Sequence, residues 1–246
     1  MMQKRNLLYG IIIIIALWYL LSLLLDERLI PAPHTVLLLF GTLSIKGILP
    51  LHALFSLFRL VAALILALLP AIPLGIAIGI NPRLDRILSP ILYLLYPLPK
   101  IAFLPIFMVL FGLGNLSKII LLWAVVIFQL LIAVRDGVQS IPREYHIAAD
   151  TLGLTKRRRF FKLYLPSALP GLFSALRISV GIGMAVLFFA ENYATSYGLG
   201  YFIMNSWVMI NYPMMFSGIL TLGLLSYLVM IGLDHLENSL CPWKIS

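Results

Sequence analysis

The sequence predicts an all-α membrane protein with six transmembrane helices, and three observations carry that prediction. Of 246 residues, 62% are hydrophobic and 11% charged, against about half and about a quarter in an ordinary soluble domain. Mean hydropathy is +1.04, more apolar surface than a water-soluble fold of this length can hide. The apolar residues also fall in long uncharged runs, and a helix needs about 20 such residues to cross a hydrocarbon core of about 30 Å. The net charge of +9 would suggest nucleic acid in a soluble chain. In a membrane chain it reflects Lys and Arg held in cytoplasmic loops, so the expected partner is the lipid bilayer and no nucleic acid. The single cysteine, Cys241, allows neither an internal disulfide nor a multi-cysteine metal site, and no cofactor is expected.

The first run, Leu7 to Leu25, follows a basic head (Lys4, Arg5) and is closed by Asp26, Glu27 and Arg28. It is longer than a signal-peptide core and no small-residue cleavage site follows, so it reads as a retained anchor with a cytoplasmic N-terminus. The second run, Leu60 to Ile80, stops at Asn81-Pro82-Arg83. The third, Ile87 to Leu113, is too long for one straight crossing. Pro90, Pro97, Pro99 and Pro105 break its hydrogen-bond ladder around Lys100, so it must bend and find protein or water partners for the freed backbone. Gly112-Leu113-Gly114-Asn115 closes it as a turn. The fourth run is Ile119 to Val134, the fifth Leu172 to Ala190 with Arg177 near its start, and the sixth Phe216 to Leu233. No internal repeat is evident.

Charge orients the set. A cytoplasmic N-terminus puts 81–86, 135–171 and the C-terminal tail inside, and 26–57, 114–118 and 191–213 outside. Lys4, Arg5, Arg83, Arg86, Arg135, Arg143, Lys156, Arg157, Arg158, Arg159, Lys162 and Lys244 are then cytoplasmic, against Arg28, Lys46 and Lys118 outside, a bias that supports this orientation. Arg59, Lys100 and Arg177 lie at or within span limits and read as snorkelling to an interface in preference to lining a path.

The connection 135–171 is the longest polar stretch. Ser140-Ile141-Pro142 offers a cap and an early-helix proline before Arg143 to Asp150. Gly153 suits a left-handed helix end, Thr155 can cap a second helix, and Leu165-Pro166 is expected to stop that helix. Taken alone, the basic segment Lys156 to Leu163, with Phe160 and Phe161 interleaved, suits a surface helix on anionic headgroups.

Ile147-Ala148-Ala149-Asp150-Thr151-Leu152-Gly153, nine residues, then Leu163-Tyr164-Leu165-Pro166 resembles the Glu-Ala-Ala loop of ATP-binding-cassette (ABC) importer permeases. Spacing matches throughout. Leu163 replaces the usual Ile, and Ile147 replaces the family's Glu; Glu144, three residues earlier on the same helical face, can supply a substitute carboxylate. Pro97-Leu98-Pro99-Lys100-Ile101-Ala102-Phe103-Leu104-Pro105 with Phe111 to Lys118, and Ala190-Glu191-Asn192 with Gly198-Leu199-Gly200-Tyr201, are similar to the nitrate, sulfonate, taurine and bicarbonate branch. The resemblance covers about residues 31 to 243.

The resemblance implies a type I ABC importer permease fold over residues 1–246 as a single transmembrane domain, with 135–171 as its ATPase-docking loop. Docking would fall to Glu144, Ile147, Ala148, Ala149, Asp150, Gly153, Leu163, Leu165 and Pro166. The implied partners are a cytoplasmic ABC ATPase dimer, a second permease copy and an external substrate-binding protein, in a multi-pass assembly of the cell membrane with both termini cytoplasmic. The implied cargo is a small anionic solute. The chain has no phosphate-binding Gly-x-x-x-x-Gly-Lys-Ser/Thr loop, so ATP hydrolysis belongs to a partner and this chain is not expected to be an enzyme. Glu191 is the best acidic candidate for a substrate path or gate, with Asn192 beside it. An ion-coupled secondary transporter would place ionisable groups at mid-membrane and often shows inverted repeats. An intramembrane enzyme would cluster its nucleophile and base, yet His34, His52, His146 and His235 are dispersed and read as ordinary interfacial residues.

Overall fold

The structure, a computed structural model, describes residues 4–26 and 28–244. What the sequence suggests for the side chains of Lys4, Arg5, Glu27 and Lys244 lies outside the described residues. In chain order the helices are α1 (Lys4–Leu24), α2 (Pro33–Ile45), α3 (Ile48–Ile80), α4 (Pro82–Leu95), a 3-10 turn (Lys100–Phe103), α5 (Leu104–Phe111), α6 (Asn115–Gln139), α7 (Arg143–Thr151), α8 (Lys156–Arg159), a π turn (Phe160–Tyr164), α9 (Leu165–Ala190), α10 (Leu199–Val208) and α11 (Tyr212–Leu240). The described residues contain no strand.

Four helical stretches are long and apolar enough to cross a membrane: Ile48–Ile80, Asn115–Gln139, Lys156–Ala190 and Tyr212–Leu240. Pro82–Leu95 with Lys100–Phe111, bent by 79°, makes a fifth if counted as one broken span. The count is of described residues; α1, whose helix has 21 residues, supplies only the shorter apolar stretch Ile12–Leu24, which lies outside the count. α3 and α9 begin before the expected apolar runs and end with them, while α6 and α11 extend past both ends. Two helices were not anticipated. α2 and α10, with 13 and 10 residues, are too short to register as spans and occupy stretches assigned to outer loops.

The chain divides into two compact units. One comprises residues 57–190 and 225–246, the other residues 1–56 and 191–224.

In the larger unit α6 is central. Gly75 and Gly79, one turn apart on α3, lie so close to α6 that an added Cβ would be 2.7 Å from the Cβ of Val134 and Val138 respectively. Small residues four apart let two backbones approach where lipid gives no hydrophobic drive between helices. Toward the other end of the same pair, Arg59 Nε donates to Asn115 Oδ1 at 2.9 Å. Pairing 59 with 115, 75 with 134 and 79 with 138 makes α3 and α6 run parallel, so the bent pair between them returns the chain across the layer. α9 packs antiparallel on α6, with Gly137 against the Ala168 backbone and Ser179 Oγ donating to Gln129 Oε1 at 3.2 Å.

The bend follows from the prolines. Asn81 caps α4 by accepting from the Arg83 and Leu84 N–H groups at 3.0 and 3.4 Å. Pro97 and Pro99 then withhold donors and end it. Arg135 of α6 fastens α4, donating to Ser89 Oγ at 2.6 Å and Tyr93 Oη at 2.7 Å. Lys118, placed by sequence in an outer loop, is fully buried in α6, where its ammonium donates to the Leu113 and Gly114 carbonyls at 3.1 and 3.2 Å. Arg59 lies inside the protein, whereas Arg177 is partly exposed. Arg59 is 2% exposed, and Arg177 pairs with Asp234 at 2.6 Å and with Glu237 on α11.

In the smaller unit Trp18 of α1 stacks on Phe216 of α11 with centroids 5.8 Å apart and donates from Nε1 to Pro31 O at 3.1 Å. Leu43, Leu49 and Phe202 form its apolar core with Leu39, Phe40 and Met214. Across the described residues, no buried side-chain nitrogen or oxygen lacks a hydrogen-bond partner.

Candidate functional site

The connection 135–171 folds as a helix, a turn and a second helix. α7 ends in a Schellman turn: the Gly153 N–H donates to Asp150 O at 2.9 Å and the Leu154 N–H to Ala149 O at 3.0 Å. This geometry requires a left-handed residue at Gly153, whose φ is +59°. Thr155 Oγ1 then accepts from the Arg158 N–H at 3.4 Å and caps α8.

Two sequence readings are corrected here. Ser140 does not cap α7; its hydroxyl donates to Gly137 O at 3.0 Å and closes α6, and Pro142 occupies the cap position. Leu165-Pro166 does not stop the second helix, which runs on through the π turn into α9. The π turn before Pro166 lets the helix continue past that residue, which cannot donate a backbone hydrogen bond. The second helix of the connection and the fifth span are thus one continuous helical stretch, Lys156–Ala190.

The residues singled out in this arm separate into two groups. Glu144, Ile147, Ala148, Asp150 and Gly153 are exposed, while Ala149 and Leu163 are buried and Leu165 and Pro166 half-buried. Glu144, Ile147, Ala148 and Thr151, spaced three and four apart, share one open face of α7, and Ile147 is 54% exposed on it. Asp150 stays exposed, and its carboxylate pairs with Arg159 of α8 at the surface of the arm. Arg159 also donates from Nε to Leu154 O at 3.0 Å, so one guanidinium clamps α7, its turn and α8 together. The sequence shows both residues but not this pairing. Beside α7 lies an open groove of about 670 Å³ whose lining includes Pro142, Tyr145, Lys162, Leu163, Pro166 and Trp243.

Glu191 and Asn192 lie in the smaller unit. The Glu191 side chain is fully buried and Asn192 is half-buried. The Glu191 carboxyl accepts from the Gly200 N–H at 2.8 Å and from Ser56 Oγ at 2.9 Å through each oxygen. Ser56 Oγ accepts in turn from the Leu199 N–H at 2.8 Å. Two of the free N–H groups at the start of α10 are thereby satisfied by one carboxyl and one hydroxyl, a favourable place for an acceptor. His52, 8% exposed, places Nδ1 3.0 Å from Gly198 O. It is therefore an interior residue, contrary to its interfacial reading. Gly198, with φ of +139°, lies against Glu191: an added Cβ would be 2.4 Å from the carboxyl carbon.

The bend between α4 and α5 opens a third polar locality. A cavity of about 300 Å³ is lined by Tyr96, Leu98, Pro99, Lys100, Ile101, Val125, Gln129, Ile182 and Val186. Among the described residues no group of three or more His, Cys, Asp or Glu side chains is placed to hold a metal ion.

Comparisons with known proteins agree with this architecture. Residues 71–240 match the family described as binding-protein-dependent transport system inner membrane component. The chain is 31% identical to the taurine transport system permease protein of Escherichia coli, over 94% of this chain and 86% of that one. It is 29% identical to the putative aliphatic sulfonates transport permease protein of Bacillus subtilis, over 95% and 86%. It is 33% identical to the formylaminopyrimidine transport permease protein of Halalkalibacterium halodurans, over 71% of each. Permeases named for nitrate import in Synechococcus elongatus and bicarbonate transport in a Synechocystis strain also match. In three dimensions the chain superposes on the MetNI methionine ABC transporter in an inward-facing conformation with a TM-score of 0.66, at 20% identity, covering 77% of this chain and 94% of that one. The fold is that of a type I ABC importer permease, and the chain belongs to the binding-protein-dependent transport system inner membrane component family as a membrane permease subunit of an ABC importer.

Proposed function

We propose that this permease carries a small anionic solute into the cytoplasm, and that an ATPase pair drives it through α7. The observation behind the substrate class is near full-length similarity to permeases named for taurine and aliphatic sulfonates, whose cargo shares an anionic headgroup. Nitrate and bicarbonate, named in further relatives, share that charge.

The energy-coupling reading rests on the arm. α7 offers Glu144, Ile147 and Ala148 on an open face while buried Ala149 and Leu163 and the Asp150–Arg159 pair stiffen the arm from behind. Because α8, the π turn and α9 form one rod, a push on α7 tilts α9 as a lever, exchanging inward-open and outward-open states around a path shared with a second permease copy. In this role Gly153 sets the angle of the arm, Asp150 holds it, and Leu163, Leu165 and Pro166 form its root. An external binding protein delivers the solute. Glu191, with Asn192 beside it, acts on the path by holding α10 in place. The termini are cytoplasmic: the Lys and Arg asymmetry sets this orientation, and the parallel run of α3 and α6 fits it.

Titrating the cognate binding protein with taurine, ethanesulfonate, nitrate, bicarbonate and formylaminopyrimidine tests the substrate class. Saturable binding of at least one of the anions is expected. Binding of formylaminopyrimidine alone would overturn the anionic reading.

A further inference from the structure

We propose that the cavity at the bend between α4 and α5 is an anion-binding station within the permease, with the Lys100 ammonium and the Gln129 amide as its recognition groups. The inference rests on the anionic-solute reading and names the site that would serve it.

Lys100 begins the 3-10 turn at the 79° break of the third span, and the cavity of about 300 Å³ opens there. Non-helical backbone at membrane depth persists only where protein or a water-filled cavity satisfies it, and in many secondary transporters broken helices carry the solute site. An ammonium at that depth is costly, and such a group faces a cavity or pairs with a counter-charge. Among the described residues no carboxylate pairs with Lys100. Its ammonium donates to the Tyr96 carbonyl and lies 5.0 Å from the centre of the Phe128 ring, which leaves two of its three donors uncommitted.

Gln129, on the cavity wall, accepts from Ser179 Oγ through Oε1. With Oε1 accepting from Ser179, the amide's donor group is Nε2. The described lining includes no Asp or Glu. One cation and one amide therefore line a pocket whose remaining side chains are the phenol of Tyr96 and the apolar Leu98, Pro99, Ile101, Val125, Ile182 and Val186. That combination suits a sulfonate or carboxylate headgroup on a short aliphatic body, and the volume suits one small molecule.

A structural reading of Lys100, as a cap on the free Tyr96 carbonyl at the end of α4, makes different predictions. The test is fluorine NMR titration of the purified permease–ATPase complex with 2,2,2-trifluoroethanesulfonate, displaced by nitrate and taurine. The wild-type complex should bind the probe saturably. Lys100→Met should weaken binding by about tenfold or more and Gln129→Leu by about threefold to tenfold, since each removes hydrogen bonds to a charged group. Lys100→Arg should stay within about threefold because it keeps a cation in place.

If Lys100→Met destroys the complex, Gln129→Leu still decides, because that amide makes no cap. Wild-type affinity in Gln129→Leu, equal affinity in Lys100→Met and wild type, or no saturable binding by wild type would each overturn the proposal. If the binding protein takes anions and the complex variants bind as wild type does, the station alone falls; if the binding protein takes only a neutral solute, the anionic reading falls with it.

Discussion

Replacing Gly153 separates backbone strain from side-chain bulk at the coupling arm. Gly153 has φ of +59° and an added Cβ meets nothing within 4 Å, so within this chain the whole cost of a side chain is conformational. Left-handed backbone costs an L-residue about 1–2 kcal/mol, most for β-branched side chains, with Asn among the best tolerated. The penalty acts on the two hydrogen bonds of 2.9 and 3.0 Å that close α7. A loss of about 1–2 kcal/mol makes the opened turn about 5 to 30 times more populated. Hydrogen exchange of the Gly153 and Leu154 amides in a nanodisc-embedded permease–ATPase complex should accelerate by that factor in a position-153 Val variant, less in an Ala variant and least in an Asn variant. Uptake should fall in the same order, with membrane insertion unchanged. Gly153→Asp should abolish uptake, since it adds charge at the partner surface to the strain. The reasoning fails if Gly153→Val exchanges and transports as wild type. It also fails if Asn and Val impair equally, because then volume against the ATPase, not backbone conformation, decides.

Three further outcomes follow from other contacts. Gly198→Ala drives a Cβ to within 2.4–2.6 Å of the Glu191 carboxyl and displaces it from Gly200 and Ser56; losing the partners of a buried carboxyl costs about 3 kcal/mol or more, so thermal unfolding in detergent should shift down by several degrees, and an unchanged midpoint would contradict the clip. Gly79→Val puts its Cβ 2.7 Å from Val138 Cβ and 3.0 Å from Arg135 O, overpacking α3 against α6 by about 1–3 kcal/mol; expression and detergent stability should drop, whereas Gly223→Val, open on all sides, should not reproduce the loss. Glu144→Ala should weaken ATPase co-purification and Ile147→Glu should preserve or strengthen it, because both residues sit on the exposed face of α7; the opposite pattern would remove Glu144 from the docking surface.

The parts of the fold legible in the sequence were those written in neighbouring residues. Four prolines around Lys100 announced a bent third span, and Gly153 with Thr155 announced two helices and the turn between them. Charge-free length located the spans. Short helices such as α2 and α10 escaped because helices of 13 and 10 residues neither cross a bilayer nor carry a strong cap. The polar clip also escaped, because Ser56 and Glu191 are 135 residues apart and only tertiary folding brings them together. Asp150 was visible as a member of a loop motif, yet its partner Arg159 was one of four consecutive basic residues and read as part of a surface helix on anionic headgroups. Pro166 misled for a physical reason: the π turn before it lets the helix continue past a residue that cannot donate a backbone hydrogen bond.

Transport itself tests the proposed coupling through α7 most directly. Reconstitute the chain in liposomes with and without its cognate ATPase, add loaded binding protein, and follow uptake of radiolabelled taurine, or of whichever anion the binding protein holds. The account predicts uptake that requires ATP, the ATPase and the binding protein together, with no ATP hydrolysis by the isolated chain. Uptake by the chain alone under a proton or sodium gradient, without ATP, would contradict it.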